Sequence, residues 1–227
     1  MENYPQKATE NFDTANFHIK YCLYFIKKFL SGKILEVGAG CGSFTKNYIN
    51  NSFQVTLTEV DKLNFSNLIE KFKKYHNVKI KKIETSHVEG KFNSIMYLHV
   101  LEHIEDDMKE LDDATKKLEN NGHLIIMAPA HKKIYGNLDR AVGHFRRYEK
   151  EFFKENLLGL KRKKLIFLDS IGYWLYYLNK IFFKNEIFPS KIKIFIWDKF
   201  FTPISIICDY LTNYKFGKCI LAVYKKE

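Results

Sequence analysis

The sequence predicts an α/β protein: a doubly wound, mostly parallel sheet of about seven strands, with an antiparallel C-terminal edge and an inserted, aromatic-rich helical cap. Three observations carry this. Short apolar runs alternate with amphipathic stretches between residues 33 and 129, the spacing of right-handed βαβ units. The first run, Lys33-Ile-Leu-Glu-Val37, breaks into Gly38-Ala-Gly-Cys-Gly42 before a helix begins. Beyond residue 150, two strand-like runs bracket an aromatic segment, so they can pair as an edge with helices inserted between them. The 227 residues, 46% hydrophobic, suffice for one well-buried domain. Within it, residues 1–30 read as a helical lid, 31–150 as a ligand-binding core and 170–212 as the cap.

Taken in order, residues 14–30 place Phe17, Tyr21, Tyr24, Phe25 and Phe29 mainly at helical steps and stop at Ser31-Gly32. Phe44 to Ile49 starts a helix after the glycines. Gln54–Val60 is a second strand ending in acid, and Leu63–Tyr75 a second helix. Val78–Ile83 alternates like a third strand and stops at Glu84; Phe92–Leu98 is a fourth. Met108, Leu111, Thr115 and Leu118 stripe a helix that Asn121-Gly122 can cap, before a fifth strand, His123–Ala128, halted by Pro129. Lys163–Leu168 and Lys218–Tyr224 flank Tyr173, Trp174, Tyr176, Tyr177, Phe182 and Phe183.

Ligands of such sheets bind beyond the carboxyl ends of the strands. Those ends supply Gly38–Gly42, Glu59, Glu84, Leu98-His99 and Pro129–His131, which should ring one site. The glycine spacing is Gly-x-Gly-x-Gly and lacks the Gly-x-Gly-x-x-Gly that seats a dinucleotide pyrophosphate, which argues against NAD and FAD. Glu59, at the end of strand two, suits the hydroxyls of an unphosphorylated ribose. Glu36, just before the glycines, would be partly buried and needs a partner: backbone amides or a cationic group of the ligand.

On these residues the chain resembles the class I S-adenosylmethionine-dependent methyltransferases, with their Rossmann-like sheet. The matching stretches are Leu35-Glu-Val-Gly-Ala-Gly-Cys-Gly42, Thr58-Glu-Val-Asp61 and Val100-Leu-Glu-His-Ile104. Tyr135-Gly-Asn-Leu-Asp-Arg-Ala-Val-Gly-His-Phe-Arg-Arg-Tyr148 looks like a segment shared by a bacterial subgroup. The resemblance implies S-adenosyl-L-methionine as cofactor and S-adenosyl-L-homocysteine as product. It assigns the methionine part to Glu36, Gly38, Ala39, Gly40 and Gly42, the ribose to Glu59 beside Val60, and the adenine edge to Glu84 and Thr85; Leu98 and His99 complete the cofactor set. The sequence departs from the family pattern at Glu84, where Asp is commoner, and at His99, where Asn is.

Methyl transfer needs alignment, closure and, for a hydroxyl or ammonium acceptor, a base, for which histidine is suited. His144 is the first candidate and His103 the second. Only four arginines occur among 37 basic residues, and Arg140, Arg146 and Arg147 fall within eight positions. Arg146 and Arg147, with Tyr135 and Tyr148, form a candidate clamp for an anionic acceptor; the competing reading is an internal salt bridge to Asp139, Glu149 or Glu151. His99-Val-Leu-Glu-His103, followed by His131 or His144, resembles the Glu-x-x-Glu-His pattern of some metal-dependent methyltransferases. No metal ligand is assigned on that basis.

The expected acceptor is therefore an oxygen or nitrogen of a small metabolite. Two alternatives are a lipid-linked or saccharide intermediate, touched through the aromatic segment, and RNA, drawn by the net charge of +11. Lysines spread along the chain read as a solvated surface, so no stable nucleic-acid complex is expected, while peripheral contact with lipid is a candidate. Cys22, Cys41, Cys208 and Cys219 are scattered, without zinc or disulfide spacing. With no signal core and no run of ~18 apolar residues, the sequence reads as cytoplasmic.

Overall fold

A computed structural model describes residues 13–182 and 188–227; Phe183 and the side chain of Phe182 lie outside that description, as do residues 1–12 of the lid. Eight strands form one sheet: β1 (Lys33–Val37), β2 (Gln54–Thr58), β3 (Val78–Lys81), β4 (Phe92–Leu98), β5 (Leu118–Pro129), β6 (Asn156–Leu157), β7 (Leu160–Leu168) and β8 (Cys219–Lys225). Their order is β3-β2-β1-β4-β5-β8-β7-β6. The first five are parallel, and β8 enters antiparallel between β5 and β7, in register Pro129 to Cys219. The mostly parallel sheet with its antiparallel C-terminal edge thus stands. The eighth strand is the two-residue β6, which hairpins onto β7.

Alternation along the strands builds two cores. Leu35, Ile95, Tyr97, Ile126 and Ala222 face one layer, with α4 (Asp107–Lys116) over them. Ile34, Leu57, Met96, Ile125 and Val223 face the other, covered by α1 (Asn16–Ile26) and α3 (Lys62–Phe72). Each leucine, isoleucine, valine or methionine among them contributes ~1.5–3 kcal/mol on burial. The short α2 (Thr45–Tyr48) follows the glycine turn, and α5 (Asn137–Ala141) follows β5.

The helix expected to run to Leu118 ends at Lys116 instead. Asn121 is left-handed at φ 62°, and Leu118 already pairs with Phe92, so Leu118–Gly122 forms an irregular start to β5. Between β7 and β8 lie α6 (Ser170–Phe182), α7 (Lys191–Ile196), a π-helical turn (Trp197–Phe201) and α8 (Thr202–Leu211). The aromatic segment splits: Tyr176 and Trp197 turn inward, whereas Trp174, Tyr177, Phe195 and Phe200 are exposed.

Candidate active site

A cavity of about 720 Å³ opens at the carboxyl ends of the strands, as the strand order requires. Gly38, Ala39, Gly40, Glu59, Val60, Glu84, Thr85, Leu98 and His99 all line it. Glu59 is 7% exposed; its Oε2 accepts from the Gly40 amide at 2.8 Å and its Oε1 from the Asp61 amide at 2.9 Å. Burial raises its pKa, opposed by these backbone bonds. Each carboxylate oxygen retains a further acceptor site, so the carboxylate is fixed in place and still able to bind.

The glycines divide their work. Gly40 has φ +54°, and a Cβ built there meets no atom within 4 Å, so its open side is space a ligand can enter. Gly42, at φ +70°, faces the other way: a Cβ would lie 2.5 Å from Phe72 and 2.9 Å from Leu68. It lets α3 pack on the turn and does not line the cavity. Glu36 is likewise behind the wall. Its Oε2 accepts from Thr45 and Tyr48 hydroxyls, both at 2.7 Å, and burial pushes its pKa up to about 7. Its partners are thus hydroxyls of α2, not the backbone amides or ligand cation expected, and it does not reach the methionine part of a ligand in the cavity.

On the opposite side, the turn Leu101–His103 and the segment after α5 converge. Glu102, His103 and His144 line the cavity, each offering one donor atom within 4.8 Å of the others, a set with the chemistry to hold a divalent ion. Glu102 is fully buried, and among the described residues neither carboxylate oxygen has a hydrogen-bond partner, the His99 Nδ1 lying 3.6 Å from Oε1. Burial opposes its ionisation, but His99, His144 and His103 outweigh that and lower its pKa. Burial takes His103 down to about 4, against the pull of Glu102.

His144 Nδ1 sits 2.8 Å from Asp139 Oδ1, its Nε2 3.9 Å from Glu102, and its ring 4.6 Å from that of His103. Asp139 also accepts from Arg147 Nε at 2.8 Å and Tyr176 OH at 2.6 Å. Burial works against its charge, yet His144, Arg147 and Tyr176 hold its pKa down at about 2.

The four residues of the expected anion clamp separate. Arg147 lines the cavity but is 4% exposed and committed to Asp139, the competing reading of the sequence. Arg146 bonds Asp107 Oδ2 at 2.6 Å, Tyr148 OH bonds the same oxygen at 2.8 Å, and Tyr135 OH bonds the His144 carbonyl at 2.6 Å. None of these three lines the cavity. They brace the segment that carries His144.

Of the other wall residues, His18 and Cys219 carried no usable sequence signal, whereas Tyr176 and Trp197 belong to the aromatic stretch that the sequence singles out. β8 brings Cys219 beside His99 and His18, where the two imidazoles outweigh burial and lower the thiol to about 6. His99 is itself strained, at φ 59°, and its pKa is raised by Cys219 and Glu102 against burial. His18, Tyr176 and Trp197 reach the cavity from α1 and the cap. They lie far apart in sequence, and α1 meets the cap directly, the Phe17 and His18 amides donating to Asp198.

A comparison with curated protein sequences finds no match. Among solved structures, the N-methyltransferase NodS from Bradyrhizobium japonicum WM9, in complex with S-adenosyl-L-homocysteine, superposes with a TM-score of 0.59 at 15% identity, over 92% of this chain and 87% of that one. A SAM-dependent methyltransferase from Archaeoglobus fulgidus gives 0.62 at 16%, over 94% and 95%. The [4+2]-cyclase SpnF gives 0.61 at 13%, over 92% and 81%. At such identities these likenesses show the fold, which by itself does not fix a reaction. The model of the methyltransferase domain family matches residues 16–167, from α1 into β7 and including the glycine turn, Glu59, Glu102 and the Asp139–His144–Arg147 cluster. The chain belongs to the methyltransferase domain family.

Proposed function

We propose that the protein transfers the methyl group of S-adenosyl-L-methionine to an oxygen or nitrogen of a small acceptor, with His144 as general base. The observation that supports this best is the sharing of one cavity by two unlike walls. One is an open glycine turn with a fixed carboxylate, Glu59; the other is a histidine with an ionised partner, Asp139. The residues present fit a nucleoside bearing an amino acid: the free side of Gly40 gives room for close approach, and Glu59 keeps acceptor capacity for two ribose hydroxyls. Bound there, S-adenosylmethionine would supply an electrophilic methyl on a sulfonium that departs with its electrons on sulfur.

The protein's own part is alignment and proton removal. With Nδ1–H donated to Asp139, His144 presents Nε2 as the acceptor for the proton leaving the nucleophile. Asp139 orients that ring and, held ionised by Arg147 and Tyr176, stabilises the imidazolium that forms. His103, neutral at ordinary pH, packs edge-on and fixes the ring's tilt.

The test is transfer of radiolabelled methyl from S-adenosylmethionine to small metabolites extracted from the source cells. Label should appear in a low-molecular-mass product with the wild type and be nearly absent with His144→Ala. Equal labelling by both proteins would overturn the assignment of the base.

A further inference from the structure

The cap is amphipathic the wrong way round for a helix that covers a water-soluble core. α8 buries Thr202, Ser205 and Asp209 while exposing Ile204, Ile207, Tyr210 and Leu211. An ordinary surface helix turns its apolar stripe inward. α6 exposes Trp174, Tyr177, Leu178 and Ile181, at positions i, i+3, i+4 and i+7, which form one stripe. α7 and the π-helical turn expose Ile192, Phe195, Ile196 and Phe200 but bury Ile194, Trp197 and Asp198. Among the described residues, twelve of the twenty-one exposed large hydrophobic side chains lie between Trp174 and Leu211.

This orientation is locked. Asp209 accepts from Tyr21 OH at 2.8 Å and from the Asp169 and Ser170 amides at 2.7 and 2.9 Å. Asp169 takes Ser205 Oγ at 2.8 Å and Lys218 Nζ at 2.9 Å, and Asp198 receives the Phe17 and His18 amides that begin α1. Rotating the helices to hide their isoleucines would strand buried charges without partners, at a cost far above that of leaving apolar surface exposed. The outward apolar stripes are thus built in.

Charge decides what covers them. Among the described residues, the acids of the cap are Asp198 and Asp209, both buried, whereas Lys191 and Lys193 are exposed. α1, which packs on α8 and the π-helical turn, exposes Phe17, Lys20 and Tyr24, and the Lys199 ammonium lies 4.2 Å from the Phe17 ring. The whole chain carries +11. A second copy would bring like charges together across a symmetric interface. Isoleucine and aromatic stripes edged by lysine match an anionic lipid surface, on which such helices lie in the plane of the headgroups. No helix among the described residues is long and apolar enough to cross a membrane.

We propose that the cap and the outer side of α1 form a membrane-docking face that seats the protein on an anionic bilayer. The docking does not depend on the reaction. Tyr176 and Trp197 wall the cavity from the same helices, so the docking face and the site share the cap.

The experiment is co-sedimentation of the full chain with vesicles of phosphatidylcholine alone or mixed with phosphatidylglycerol. The wild type should pellet with the mixed vesicles, and high salt should weaken this without abolishing it. Ile207→Ser/Leu211→Ser should lower the partition coefficient at least ~tenfold, and Lys191→Glu/Lys193→Glu should lower it at low salt, each with unchanged affinity for S-adenosylhomocysteine. No pelleting with either vesicle, or equal pelleting by the serine variant, would overturn the proposal. So would a stable dimer that the serine variant dissociates. Failure to bind S-adenosylhomocysteine would count against the methyl-transfer reading alone.

Discussion

Residues 38–61 build one side of the cavity from two consecutive strand ends, whereas the other side takes residues from α1, the Leu101–His103 turn, the segment after α5, the cap and β8. The first side is local chemistry. A glycine that leaves room and a carboxylate fixed by backbone amides do the same work in any chain with that spacing. The second side is topology: His18 meets Cys219, and Glu102, Asp139, His144 and Tyr176 meet in turn, across segments far apart in sequence. The comparison teaches that ligand binding and chemistry are separable here, and mutations should separate them.

The largest effect is expected at the second side. His144→Ala should reduce methyl transfer by ~10²–10⁴, while its affinity for S-adenosylhomocysteine by calorimetry should stay within about threefold of wild type. A matching loss of affinity would dissolve the distinction. Gly40→Val makes the reverse cut. Its β-branched side chain enters the open space at a left-handed backbone position, so affinity should fall ~100-fold with the circular dichroism spectrum retained. Tight binding by this variant would show that the ligand does not approach Gly40.

Glu36 sharpens the boundary between wall and support. In the unfolded chain its carboxyl ionises near 4.5, but in the folded chain near 7, because burial disfavours the charge. The folded state thus binds the extra proton between those values, and wild-type stability falls as pH rises from about 4.5 to about 7. Glu36→Gln should unfold later in urea than wild type at pH 8, by about 1–3 kcal/mol, with the gain vanishing below pH 4.5. A gain independent of pH would refute the buried-acid account. The smallest effect is expected for Tyr176→Phe. Losing its bond to Asp139 should cost ~3–10-fold in transfer rate and leave cofactor affinity unchanged.

How much was legible follows the same division. The glycine turn and Glu59 could be read because strand, turn and acid are fixed by spacing within 30 residues, and the mostly parallel sheet followed from the alternation of strands and helices. Gly42 and Glu36 look alike in sequence to their cavity-lining neighbours. Only the packing of Phe72 and the hydroxyls of Thr45 and Tyr48 show that they face away. The arginine cluster was visible, but that Arg147 pairs with Asp139 while Arg146 pairs with Asp107 depends on a turn no periodicity reports. Cys219 had no local signal, since its neighbours read as an ordinary edge strand. In the cap the aromatic segment was visible, but which way its helices face depends on the buried Asp198, Ser205 and Asp209, whose partners lie far away in sequence.

The most direct test of the central claim, that the glycine turn and Glu59 seat the nucleoside of the methyl donor, is calorimetric titration of wild type and Glu59→Ala with S-adenosylhomocysteine. The account predicts saturable 1:1 binding by the wild type and a loss of at least ~tenfold in the variant, from two unmade charge-assisted hydrogen bonds. Equal affinity in the two proteins would contradict it.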